Sequence, residues 1–247
     1  MLVFITGASS GFGEAMAKKF VLEGHEVILL ARRLEKLEKL QQELGSKCIK
    51  IIASDVMDIK NIKQALGDEI SKIDVLINNA GLALGIESAE ECDIKDWENM
   101  VTTNILGLIK ITHLILPFMV EKQSGHIINI GSIAGSYPYY GGNVYGATKA
   151  FVKQFSLNLR ADLVDKNIRV TNIEPGLCGG SEFSIVRFKG DEQKAKDLYK
   201  NTNPLMPQDI AESVYWCATL PAHININRLE IMPTTQASAG LKVHKKL

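Results

Sequence analysis

Seven short and almost unbroken apolar runs recur along this chain, at residues 2–5, 27–30, 49–53, 75–77, 127–130, 169–173 and 229–232. Nothing else constrains the fold as sharply. A strand with one wet face alternates polar and apolar residues, whereas a strand buried on both faces does not. The runs therefore predict strands of a parallel sheet covered on both sides. Helical patterns lie between them, over residues 14–23, 34–44, 61–70, 97–121, 145–165 and 209–219. Strand–helix alternation of this kind predicts an α/β fold, a doubly wound Rossmann arrangement with helices on both faces of a seven-stranded parallel sheet. No repeat or linker interrupts it, so one domain is expected over residues 1–247, a length that can bury a substantial core.

One segment breaks the rhythm. Residues 176–207 form an insert after the sixth run, too long for an ordinary connection. It leaves the carboxyl end of a strand, where open α/β sheets bind ligands. We expect a substrate lid with helical pieces inside it.

Composition narrows the function classes. Formal net charge is zero, which argues against nucleic acid or an anionic membrane as partner. No apolar run reaches the length of a membrane span, and the first residues carry no charged region of a signal peptide. Cys48, Cys92, Cys178 and Cys217 form no CxxC pattern and read as free thiols in a reducing, cytoplasmic setting. The five histidines show no metal-ligand spacing. The basic stretch from Lys242 to Lys246 reads as a solvated terminus.

The first run leads into Thr6-Gly7-Ala8-Ser9-Ser10-Gly11-Phe12-Gly13 and then a helix. Gly7 allows a sharp turn, Gly11 a close approach of pyrophosphate to the backbone, and Gly13 close packing of the helix on the sheet. The helix start aims N–H groups and its positive dipole end at phosphate. At the end of the second run, where NAD-binding domains place a carboxylate for the ribose 2′-hydroxyl, this chain has Arg32 and Arg33. Planar cationic forks suit a 2′-phosphate, so NADP is the expected cofactor.

Tyr145 and Lys149 are the chain's one tyrosine–lysine pair at helical i, i+4 spacing. Such residues share a helix face, and a nearby cation favours the phenolate. The pair is expected to make a proton-transfer group usable near neutral pH.

Taken in order, TGASSGFG at 6–13, NNAG at 78–81, Asn104, Ser132, the Tyr145/Lys149 pair and Pro175-Gly176 resemble the short-chain dehydrogenases/reductases. The resemblance implies that Ser132, Tyr145 and Lys149 form the catalytic group, with Asn104 as a fourth member binding a water that links Lys149 to solvent. It implies that Asp55 and Val56 contact adenine and that Asn79 lies beside a cofactor ribose. Ser132 is expected to stabilise charge on the substrate oxygen, and Lys149 to hold the nicotinamide ribose. Many members follow Pro-Gly with a threonine that holds the nicotinamide amide. Here the turn is extended, and Ser181 or backbone groups are expected to take that contact. The resemblance also implies a homotetramer, with a dimer as the alternative, through the helices at 97–121 and 145–165.

Residues 179–191 (GGSEFSIVRFKGD) and 136–143 (SYPYYGGN) resemble the NADP-dependent 3-hydroxy acid dehydrogenase subgroup, which includes serine 3-dehydrogenase and L-allo-threonine dehydrogenase. The implied activity is hydride transfer at C3 of small 3-hydroxy acids. A carboxylate substrate needs a cation, for which Arg187 is the candidate and Lys189 the alternative. Tyr137, Tyr139 and Tyr140 are candidates to wall a small pocket. The competing readings are a reductase of bulkier ketones or 3-oxoacyl thioesters and a non-catalytic NADP-binding module.

Overall fold

Parallel pairing joins seven strands into one sheet in the computed structural model, which describes residues 1–238. The Lys242–Lys246 stretch lies outside the described residues. The strands are β1 (Leu2–Thr6), β2 (Glu26–Ala31), β3 (Cys48–Ala53), β4 (Val75–Asn78), β5 (Gly125–Ile130), β6 (Ile168–Pro175) and β7 (Arg228–Ile231), ordered β3-β2-β1-β4-β5-β6-β7. Each predicted run became a strand, with ends displaced by a residue or two.

The continuous apolar runs follow from burial on both faces. Val3, Ile5, Val27 and Leu29 point into one core, beneath α1 (Gly11–Leu22), α2 (Leu34–Leu44) and α9 (Pro207–Thr219). Leu2, Phe4, Ile28 and Leu30 point into the other, beneath α3 (Ile59–Leu66), α5 (Leu108–Lys122) and α6 (Asn143–Asp162). Successive side chains alternate faces, so each run feeds two cores.

Towards the carboxyl ends of the central strands a polar rung interrupts the apolar pattern. Asn78, Asn129 and Asn172 are register partners on β4, β5 and β6. The Asn78 amide donates to Asn129 Oδ1 at 2.8 Å and to Thr112 Oγ1 on α5 at 2.9 Å. Asn129 in turn donates to Ser156 Oγ on α6 at 2.9 Å. These buried hydrogen bonds hold the helix bearing Tyr145 and Lys149 on the sheet, while Asn78 Oδ1 and Asn172 Oδ1 have no hydrogen-bond partner among the described residues.

Three expectations need correction. The helix predicted over 61–70 ends at Leu66, because Gly67 turns at φ +56° into a 3₁₀ segment running to Lys72. The helix predicted over 97–121 starts earlier, at Ile94, where the Asp93 side chain accepts from Lys95 N at 2.9 Å. It runs through α4 (Ile94–Val101), a π-turn at Thr102–Gly107 and α5 without a break to Lys122. By length and composition this 29-residue helix could cross a membrane, contrary to the expectation that no segment could. In this fold Met100, Ile111, Ile115 and Met119 on it are instead packed in the interior.

The 176–207 segment carries two short helices, α7 (Phe183–Arg187) and α8 (Glu192–Asp197), and returns through a bridge between Cys178 and Leu205. Ion pairs tie it to the rest at two places among the described residues, through Glu182 and through Lys189.

Candidate active site

Strand order reverses between β1 and β4, so the loops leaving their carboxyl ends diverge and leave a crevice. A cleft of about 610 Å³ opens there, roofed by the 176–207 segment.

The glycine-rich turn forms its floor. Gly7 turns at φ +65°, and a Cβ on Gly13 would lie 2.3 Å from the Gly7 carbonyl oxygen, so only glycine lets α1 start this close to the strand. Asn79 braces the turn, its amide donating to the Thr6 and Gly7 carbonyls at 2.9 and 3.1 Å. Its side chain is thus committed to the loop as well as lining the cleft. Phe12, Asp55 and Val56 line the same end.

Beside the turn, Arg33 donates through Nε and Nη2 to Ser9 Oγ (3.3 and 3.1 Å) and through Nη2 to Ser10 Oγ (2.9 Å). Its Nη1 donates to Glu182 Oε2 at 2.8 Å, and Lys36 Nζ reaches Glu182 Oε1 at 2.5 Å. These contacts, Lys36 first, hold the Glu182 carboxyl down at about 2. Arg32 lines the cleft with its side chain exposed.

At the opposite end stand Ser132, Tyr145 and Lys149. Ser132 caps a 3₁₀ turn, its Oγ accepting from Ala134 N at 3.1 Å. Tyr145 and Lys149 lie one turn apart on α6, with Lys149 Nζ 5.9 Å from the Tyr145 ring centroid. Both are buried, at 8% and 7% exposure. Here the expectation of a lysine-depressed phenol is not met. Burial pushes the Tyr145 phenol far above its ordinary value, opposed by a hydrogen bond from Ser132 and by the Arg187 charge. Burial also brings Lys149 down to about 8, and its ammonium donates to the Ile130 carbonyl at 2.7 Å. Dehydration disfavours the charged form of each group, and at this separation it outweighs their mutual attraction.

Asn104 sits in the π-turn with its amide engaged. Oδ1 accepts from Leu82 N at 2.9 Å, and Nδ2 donates to Leu82 O at 2.8 Å and Thr148 Oγ1 at 3.1 Å. The side chain clamps the loop after β4 to α6.

Arg187 is brought to the site from the end of α7. It donates to Gly85 O (Nε, 3.2 Å) and to Tyr139 Oη (Nη2, 2.9 Å), with Cζ 5.8 Å from the Tyr145 ring centroid. Lys189, its alternative, pairs with Asp96 at 2.8 Å instead. Tyr137 and Tyr139 line the cleft, whereas Tyr140 is 63% exposed and does not. Ser181 is displaced from its expected place. A Cβ on Gly11 would meet Ser181 Cβ at 3.1 Å, so Ser181 stands over the glycine turn. At the Pro175-Gly176 turn it is Gln236 that closes in, accepting from Leu177 N at 2.7 Å.

Sequence reasoning missed Gln236, Glu182 and Lys36. Glu182 and Arg33 are separated by 149 positions. No local pattern marks such a pair.

A family model described as short chain dehydrogenase matches residues 1–189. The chain belongs to the short-chain dehydrogenases. This family member is 56% identical to an NADP-dependent 3-hydroxy acid dehydrogenase of Escherichia coli O6:H1, over 100% of both chains. It is 50% identical to the serine 3-dehydrogenase of Rhizobium radiobacter, covering 99% of this chain and 98% of that one. Among solved structures it matches a closed form of serine dehydrogenase complexed with NADP+, at 55% identity, full coverage of both chains and a TM-score of 0.96. The short-chain dehydrogenase is thus an oxidoreductase acting on hydroxyl groups of a small-molecule substrate.

Proposed function

We propose that this short-chain dehydrogenase transfers a hydride between NADP(H) and C3 of small 3-hydroxy acids of the serine, L-allo-threonine and 3-hydroxypropionate type. The observation that carries the reading is the Arg187 guanidinium, held 5.8 Å from the Tyr145 ring. A fixed cation beside a buried phenol suits a substrate whose reacting hydroxyl lies two carbons from a carboxylate. The names of the relatives, an NADP-dependent 3-hydroxy acid dehydrogenase and a serine 3-dehydrogenase, support the same substrate class.

The residues of the cleft fit NADP. No carboxylate ends β2, and Ser9, Ser10, Arg32 and Arg33 gather hydroxyl and guanidinium groups beside the glycine turn. Gly7, Gly11, Phe12 and Gly13 would receive the pyrophosphate, Asp55 and Val56 the adenine, and Asn79 the adjoining ribose edge. Pro175 and Gly176 would receive the nicotinamide, with Gln236 bracing that turn. Ser181 would serve the pyrophosphate end. When bound, NADP supplies the hydride acceptor or donor.

The chain's own residues handle the proton and the charge. In the reducing direction Tyr145 donates its proton to the emerging alkoxide, which suits a phenol that burial keeps protonated. In the oxidising direction the phenol would first release its own proton to solvent by way of Lys149, and the phenolate would then take the proton from the substrate hydroxyl. Ser132 hydrogen-bonds the same oxygen. Lys149, at about 8, would hold the ribose hydroxyls of the bound cofactor and back the phenol. Asn104 positions the 82-loop against α6, and Arg187 binds the carboxylate. Residues 176–207 act as the lid of a single-domain enzyme.

The chain is further proposed to assemble as a homotetramer, since Ile94, Val101, Leu106 and Phe151 on the long helices are exposed. Four free thiols suit the reducing cytoplasm. The deciding assay is NADPH formation from NADP with L-serine, L-allo-threonine, 3-hydroxypropionate or a bulky secondary alcohol. Turnover of the small acids supports the reading, and turnover of the bulky alcohol alone refutes it.

A further inference from the structure

Glu182 has no place in the chemistry above, yet it makes two of the three ion pairs that fasten the lid to the rest of the protein among the described residues. Its partners are residues of the cofactor end, Arg33 and Lys36. The division of labour on Arg33 is clear from the donors. Nη1 goes to Glu182, while Nε and Nη2, the edge that binds oxyanions bidentately, converge with Ser9 Oγ and Ser10 Oγ. Glu182 therefore holds the fork from behind and leaves its recognition edge facing the hydroxyls.

The carboxylate also stands at one end of a short rod. Glu182 immediately precedes α7, and Arg187 is the last residue of that helix. The helix is pinned between its ends, with Phe183 against Tyr145 at 5.9 Å between ring centroids and Arg187 exchanging two hydrogen bonds with Gly85. A single helical turn thus joins the proposed 2′-phosphate subsite to the proposed carboxylate subsite. A shift of Glu182 is passed to Arg187 with little slack, because the rise over five residues is only about 7.5 Å.

We propose that Glu182 is a positioning residue that makes the grip on the substrate carboxylate depend on the 2′-phosphate of the cofactor. A 2′-phosphate on the Nε/Nη2 edge fixes Arg33, Arg33 with Lys36 fixes Glu182, and Glu182 seats α7 so that Arg187 faces the substrate. A cofactor without that phosphate leaves Arg33 held by Ser9, Ser10 and Glu182 alone, and the rod less firmly seated. Discrimination between NADP and NAD is then exerted at the substrate step as well as in cofactor binding. The inference rests on the function proposed above, in its cofactor and in the role of Arg187.

The test compares wild type with Glu182→Gln, an isosteric change at a side chain 41% exposed, and with Lys36→Met, which removes one of the two partners. Circular dichroism establishes that each is folded. At saturating NADP, Glu182→Gln should raise the KM for L-serine about three- to tenfold, as expected for losing partly exposed ion pairs, with kcat changed less than about twofold. Lys36→Met should shift KM in the same direction by less. Without substrate, NADP should protect the lid sites Lys194 and Lys196 of wild type from trypsin more than NAD does, and Glu182→Gln should erase that difference. An unchanged serine KM in folded Glu182→Gln, or equal protection by NADP and NAD in wild type, overturns the proposal. Tighter NADP binding by Glu182→Gln, read by fluorescence titration, also overturns it, since Glu182 would then compete with the phosphate. If wild type does not oxidise serine at all, the functional reading fails, while the trypsin arm still judges the coupling.

Discussion

Replacing Lys149 with methionine should abolish turnover and yet make the nucleotide-free protein more stable. Burial lowers the Lys149 pKa from 10.5 to about 8. At about 1.36 kcal/mol per unit, keeping this ammonium charged in the folded state at pH 7 costs on the order of 3 kcal/mol. Against this stands its 2.7 Å hydrogen bond to the Ile130 carbonyl, whose loss costs about 1–2 kcal/mol. The net gain for Lys149→Met is then about 1–2 kcal/mol, a rise in Tm of roughly 2–8 °C for a chain of this size. The pH dependence carries the diagnostic sign. Because the folded pKa lies below the unfolded one, the unfolded state binds more protons between about pH 8 and 10.5, and wild-type stability climbs through that window. The methionine variant has no such group. Thermal melts of both proteins at pH 7 and pH 10, without nucleotide, should show the variant's advantage shrinking at the higher pH. A variant that melts below wild type at pH 7, or an advantage independent of pH, refutes the argument that dehydration dominates at this site.

Three further outcomes follow from the geometry. Tyr145→Phe keeps the packing against Phe183 and should lose turnover by at least about 10²–10⁴-fold while NADP titrates normally by fluorescence; retained turnover removes Tyr145 from proton transfer. Arg187→Met should lower kcat/KM for L-serine by about 10- to 100-fold, the loss of a charge-assisted hydrogen bond, but leave a carboxylate-free primary alcohol of similar size within about twofold; equal losses on both would make the role structural. Gly13→Ala drives a methyl onto the Gly7 carbonyl and should destabilise by about 1–3 kcal/mol in a denaturant titration, with nucleotide binding weakened in parallel.

The amino-acid sequence by itself determined the sheet. Runs such as Val3-Phe4-Ile5 and Val27 through Leu30 have no polar residue with which to meet solvent, so only a strand covered on both faces suits them. The glycine spacing of 6–13 and the Tyr145/Lys149 interval were equally legible, because each is a local geometry written within a few residues. What tertiary structure decided were quantities that depend on many distant neighbours at once. Dehydration from surrounding elements, not the adjacent lysine, governs the Tyr145 phenol. Asn104 is drawn into a clamp by Leu82 and Thr148, and Ser181 is carried over Gly11 by an insert whose path no periodicity records. Lys189 is claimed by Asp96, far away in the chain, while Arg187 stands beside Tyr145. The Arg33–Glu182 pair was hidden for the same reason: an ion pair across 149 positions leaves no spacing to read, and only folding brings its charges together.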